Sequence, residues 1–230
     1  KSKNFLSSFR SWENHSDMGA PIQFTSEHFK ILGIKENLKN FIKKIFFEDK
    51  EFNRSFFDDV EILKLSKADQ ILKDNPVHKT PGVKHFYIYN DISTNYRWNR
   101  YAYEANQILT KNLLKENDIH VDLGSFYGGL QSFLFRKLNN CKFFLVDFNH
   151  QLMRSYVFLK TLYPNANHIL PDDINLIDDV ILKPGFYYLT IDKYFDINSL
   201  KPNLFSNSFS LGEMTNIFFE KYLNSNILKS

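Results

Sequence analysis

Cysteine is nearly missing from this chain, with Cys141 the single example in 230 residues. One thiol excludes an intrachain disulfide framework, and without a C-x-x-C pair it excludes cysteine-built zinc modules as well. The expected setting is reducing, hence cytoplasmic. Long apolar runs are also missing. The longest stretch free of formal charge, Leu123 to Phe135, falls short of the roughly 18 residues a helix needs to cross a bilayer, so no membrane span is expected. No secretory leader pattern opens the chain, which begins at Lys1 without an initiating Met and reads as a trimmed or internal piece. Nor does charge of one sign dominate. The 29 basic and 26 acidic residues leave a net charge of +3, with no clustered Lys/Arg stripe, so nucleic acid is not an expected partner. The 7 histidines form no H-x-H or H-x-x-x-H pair, and no metal site is expected from local spacing.

Apolar and aromatic residues, by contrast, are plentiful. The composition is 43% hydrophobic and 17% aromatic, which argues for a folded chain of one large or two small domains. Its organisation changes near residue 110. Residues 1–110 read as a mainly helical N-terminal cap. Glu36 to Phe47 has Leu38, Phe41, Ile42, Ile45 and Phe46 at helical spacing, and loops are marked by Asn75-Pro76 and Thr80-Pro81-Gly82. Asn95 to Leu113 carries Tyr101, Ala105, Ile108 and Leu109 on one helical face.

Residues 111–230 alternate strands with helices. Strands are predicted at Ile119 to Leu123, Phe143 to Val146, Asn167 to Leu170 and Leu204 to Ser208. Phe186 to Ile191 fits either a strand or a buried loop. Helices are predicted from Leu130 to Leu138, His150 to Leu162 and Glu213 to about Leu223. This order implies an α/β fold with a Rossmann-like, doubly wound parallel sheet.

The sharpest motif is Val121-Asp122-Leu123-Gly124-Ser125-Phe126-Tyr127-Gly128-Gly129. It places glycines where a chain leaving a parallel strand must turn tightly and let a ligand approach the backbone. Asp147, ending the second strand, stands near the roughly 20-residue offset at which a carboxylate grips a ribose hydroxyl pair. Phe126 occupies the place of the middle glycine of a pyrophosphate-binding turn, which weighs against NAD. Asp122 beside the turn would repel a pyrophosphate and suit an ammonium group.

In these residues the chain resembles the class I S-adenosylmethionine-dependent methyltransferases over roughly residues 95–225. The resemblance implies that Asp122, Gly124, Ser125 and Gly128 hold the methionine part of the cofactor, that Asp147 holds the ribose and Phe148 the adenine, and that Asp172 and Asp173 reach the adenine amino group. A narrower resemblance, carried by Asn203 to Met214 with its S-x-G-E-M opening and by Asn95 to Tyr103, is to sugar O-methyltransferases of bacterial polysaccharide and natural-product clusters. It implies a sugar or glycan-like acceptor bound by the cap of residues 1–110, with Asn207, Ser210 and Glu213 around the acceptor's proton. Ser210 and Glu213 also spell a helix capping box. An NAD-dependent oxidoreductase and a catalytically inactive binding module are the alternatives. The family's sheet has further strands, expected to follow Ser230, and a sheet edge left open would call for a partner or a homo-oligomer to cover it.

Overall fold

The computed structural model describes residues 59–77, 87–89, 92–174, 183–196, 200–208 and 210–229. The expected helix from Glu36 to Phe47 and the Thr80-Pro81-Gly82 loop lie outside these residues. The chain divides into two compact units at Asn106 and Gln107.

The first unit contains the short helix α1 (Asp69–Asp74), strands β1 (Tyr87–Tyr89) and β2 (Ile92–Thr94), and most of helix α2 (Tyr96–Thr110). The antiparallel pair β1 and β2, with Ile88 opposite Ser93, was not expected in a helical cap. Its residues, Tyr-Ile-Tyr and Ile-Ser-Thr, are mostly aromatic or β-branched, which suits a pleated pair. Helix α2 begins where the Asn95 side chain accepts the Trp98 backbone N–H at 3.0 Å, satisfying one of the donors a helix start leaves open. It is tied to the rest of the unit by polar anchors: the Trp98 indole donates to the Asn75 carbonyl (2.7 Å), and the Asn106 amide donates to that of Ser66 (3.0 Å).

The second unit is α/β. In chain order come β3 (Ile119–Leu123), α3 (Gly129–Lys137), β4 (Lys142–Asp147), α4 (Asn149–Leu162), β5 (Asn167–Ile169), β6 (Gly185–Thr190), α5 (Ile191–Asp196), β7 (Leu204–Asn207), α6 (Asn216–Leu223) and α7 (Asn226–Lys229). The strands form a five-stranded sheet in the order β5-β6-β4-β3-β7, and every pairing is parallel. Alternation along each strand splits the side chains between two faces. Phe143, Leu145, Phe186 and Tyr188 face one way, toward α3 and α4: Phe135 of α3 packs on Phe186 at 4.6 Å, and Tyr156 of α4 meets Tyr188 edge-on. Val121, Leu123, Phe144, Val146, Tyr187 and Leu189 face the other way, in one core with Tyr194, Tyr222 and Ile227 from α5, α6 and α7. Burial on both faces explains why β4 and β6 read as continuous apolar runs.

Asn167 to Leu170 forms a strand as expected, but at the edge of the sheet, and Phe186 to Ile191, which fitted either a strand or a buried loop, supplies the strand β6 that lies beside β4. The reason is composition and length. The six-residue β6 is buried along nearly all of its length, whereas the three-residue Asn-His-Ile of β5 is half-exposed. Cross-strand rings set the register: Phe144 stacks on Tyr187 at 4.5 Å on one face, while on the other Phe143, Phe186 and His168 form a row across three strands. The last long helix also starts later than expected, at Asn216 with Thr215 as its N-cap, because Ser210–Glu213 forms a separate 3-10 turn.

Replacing Phe186, fully buried at the centre of its row, by Ala should cost about 3–5 kcal/mol in urea unfolding. Phe148→Ala, at an exposed position, should stay within about 0.5 kcal/mol. Equal losses would contradict this register.

Candidate functional site

Open parallel sheets bind ligands beyond the carboxyl ends of their strands, where the strand order reverses. Here the chain leaves β3 toward β4 on one side and returns as β7 on the other. The glycine turn therefore sits at the reversal.

The turn has an unusual backbone. Gly124 (φ +75°), Phe126 (φ +53°) and Gly128 (φ +80°) all lie in the left-handed region. A Cβ on Gly124 would fall 2.2 Å from Ser210 Oγ, and one on Gly128 would fall 2.7 Å from the Leu159 side chain. Both positions thus need glycine for space as well as for conformation. Phe126 has neither excuse, and a bulky residue held there is strained. Contacts from β4 and α4 hold it. Its N–H donates to Asp147 Oδ2 at 2.8 Å, its carbonyl receives the Ser155 hydroxyl, and the Arg154 guanidinium lies 5.7 Å from its ring centroid.

Asp147, the expected ribose ligand, is the centre of this arrangement. Its other oxygen accepts the Phe148 N–H at 2.7 Å, and the residue is only 9% exposed. Burial pushes its carboxyl up to about 6, against the opposing pull of the two backbone N–H donors.

Asp122, expected to meet a ligand's ammonium, spends its oxygens inside the fold. It is 4% exposed, Gln131 Nε2 of α3 donates to Oδ2 (2.6 Å), and Ser206 Oγ of β7 donates to Oδ1 (2.6 Å). His120 Nε2 lies 2.7 Å from the same serine oxygen. Because the serine proton goes to Asp122, the imidazole must donate from Nε2. Full burial pushes His120 down to about 3, so the ring is neutral. Ser, His and Asp meet here in the wrong order for a hydrolase, with the serine proton facing the carboxylate and not the imidazole. The group instead ties β3, β7 and α3 together.

Asn207 and Ser210, two of the expected catalytic residues, also face inward. Asn207 Nδ2 donates to the Leu123 carbonyl at 2.6 Å and lies against Ser210 Oγ, which itself donates to that carbonyl at 3.0 Å. Asn207 Oδ1 accepts the Leu211 N–H at 3.1 Å. Ser210 therefore seals the turn against β7 in place of capping a helix. Glu213 ends the 3-10 turn that follows. Ser125 is buried, and its hydroxyl has no hydrogen-bond partner among the described residues.

Two groups at the strand tips do face solvent. Phe148 is 59% exposed, and its ring stacks on His150 with planes 6° apart. Asp172 and Asp173 are exposed in a 3-10 turn, but that turn follows the edge strand β5, with β6 standing between it and β4. The turn packs against β6, the strand next to β4. The acid that follows β4's true neighbour is Asp192, two residues beyond Thr190, whose partner in register is Asp147. Sequence reasoning missed Asp192 because it left Phe186 to Ile191 open between a strand and a buried loop. It missed Ser206 and Ser155 because each acts through a partner distant in sequence, and Gln131 because helical periodicity does not say which way a polar side chain is turned.

Among the described residues, no three His, Cys, Asp or Glu side chains converge as a metal site, and no helix is long and apolar enough to cross a membrane. Comparison with protein-family models, curated proteins and solved structures found no match.

The raised Asp147 carboxyl has a definite sign for stability. With its folded value above the usual 3.8, its contribution is fully present in acid and is lost as pH rises through about 4 to 6. Wild type should thus lose up to about 3 kcal/mol relative to Asp147→Asn between about pH 4 and pH 7. Urea unfolding of the pair across that range measures this, and the opposing contribution of buried His120 cancels in the difference. A pH-independent gap would refute it.

Proposed function

We propose that this chain is an S-adenosylmethionine-dependent O-methyltransferase of class I type acting on a hydroxyl of a sugar or glycan-like acceptor. The observation that carries the cofactor half of this reading is the exposed, stacked face of Phe148 beside a left-handed glycine turn at the sheet's reversal point. A large apolar ring left in water at a strand tip suits a planar base laid against it, and the turn offers close backbone approach. Asp192 lies on the flank where an exocyclic amino group would be met. The acceptor half rests on the resemblance of Asn203 to Met214 to sugar O-methyltransferases.

When bound, S-adenosylmethionine supplies an electrophilic methyl carbon. The chain has to align the acceptor oxygen with that carbon and take up the hydroxyl proton as the new bond forms. Asn207 and Ser210 keep the β7 tip pressed onto the turn, so they fix where the acceptor stands. Glu213 is the only carboxylate among the three expected catalytic residues and is the proposed base. The NAD alternative meets a half-buried Phe126 ring where a pyrophosphate needs open backbone.

Isothermal titration should show binding of S-adenosylhomocysteine and none of NADH, and the reverse would overturn the reading. With radiolabelled S-adenosylmethionine and a panel of sugars and sugar nucleotides, label should pass to an acceptor hydroxyl. Glu213→Gln should lower kcat by about 100-fold or more while leaving homocysteine-analogue binding intact. Binding without any transfer across the panel would favour the inactive module.

A further inference from the structure

Resting on the S-adenosyl reading, we propose that His150 is a positioning residue for the cofactor, its imidazole stacking on Phe148 and fixing that ring's free face toward an incoming adenine. The Phe148 backbone is held by the fold. Its N–H donates to Asp147 Oδ1 at 2.7 Å, its carbonyl accepts the Leu152 N–H at 3.0 Å, and the residue is the N-cap of α4. The side chain is not held in the same way, since the residue is 59% exposed and a ring in water gives up little packing when it changes rotamer. A ring free to swing makes a poor platform. A ligand that must first immobilise such a side chain binds about two- to tenfold more weakly than one that meets it already in place.

The His150 ring supplies the missing restraint. It lies parallel to Phe148, with planes 6° apart and centroids 5.8 Å apart, an offset stack within the range of favourable aromatic pairs. Its own place is secured because it is the second residue of α4, a helix that buries Leu152, Met153, Phe158 and Leu159 and is hydrogen-bonded through Ser155 to the Phe126 carbonyl. With one face of Phe148 against the imidazole, the exposed surface that remains is the other face and the rim. Histidine suits this half-buried position better than a second phenyl ring, which would set two apolar rings side by side in water. The sequence hides the pairing, because residues two apart on a helix do not face each other. Phe148 meets His150 only because it stands in extended backbone before the helix starts.

The test is isothermal titration with S-adenosylhomocysteine on wild type, His150→Ala, His150→Phe, Phe148→Ala and the double variant His150→Ala with Phe148→Ala. His150→Ala should weaken binding about three- to tenfold, the size of an aromatic pair. His150→Phe keeps a planar ring and gives up both nitrogens, and it should restore affinity to within about twofold of wild type. In the Phe148→Ala background, His150→Ala should cause no further loss, because a residue that acts through Phe148 has nothing left to act on. A merely structural loss would appear in both backgrounds.

An unchanged affinity in His150→Ala overturns the proposal and leaves the cofactor reading standing. So does a His150→Phe protein as weak as His150→Ala, or a second loss of the same size in the Phe148→Ala background, since either would put the imidazole on the ligand itself. If wild type binds no S-adenosylhomocysteine, the reading and the proposal fall together. Should Phe148→Ala bind too weakly to measure, the comparison of His150→Phe with His150→Ala decides.

Discussion

A carboxylate taken almost entirely out of water must find donors, and the turn after β3 is shaped so that it does. Asp147 receives the N–H groups of Phe126 and Phe148, one from the turn after β3 and one from the residue after β4. The rest of the strand-tip architecture follows from this. Holding Phe126 in the left-handed region sets the turn between two glycines that have no room for a Cβ. With the turn set, Ser210 and Asn207 can close onto the Leu123 carbonyl and bring β7 alongside. The exposed face of Phe148 is a by-product: its N–H is used inward, so its side chain is left at the mouth.

A second constraint works beneath the sheet surface. Asp122 and His120 point into a face otherwise filled by Phe143, Leu145, Phe186 and Tyr188, where an unpartnered ionisable group would cost several kcal/mol. Ser206 and Gln131 supply the missing bonds. This makes the pairing of β3 with β7 specific. A one-residue slip of β7 would carry Ser206 to the opposite face, because side chains alternate along a strand, and would leave Asp122 unsatisfied. Polar side chains that look like site residues in the sequence are here part of the frame.

Much of the second unit was legible beforehand. Period-2 and period-3.6 patterns, with the glycine turn between them, placed β3, α3, β4 and α4 to within a residue or two. Where legibility failed, the cause is nonlocal. Phe186 to Ile191 and Asn167 to Leu170 both look like strands, and only the demand that the strand beside β4 be buried on both faces decides between them. That choice moves Asp172 and Asp173 to the edge and brings Asp192 forward. The inward roles of Asp122, Asn207 and Ser210 were equally hidden, since a local pattern does not say which way a satisfied polar group has turned.

By itself, then, the sequence determined the succession β3, α3, β4 and α4, the parallel α/β class of the second unit and the location of the turn. Those follow from hydrophobic periodicity and from residues with restricted or permissive backbones, all of which act within a few positions along the chain. Only the tertiary structure decided the strand order, the donors that satisfy Asp122 and Asp147, and which aromatic ring stays in water. Those depend on burial, and burial is a property of partners drawn together from residues as far apart as Leu123 and Ser210.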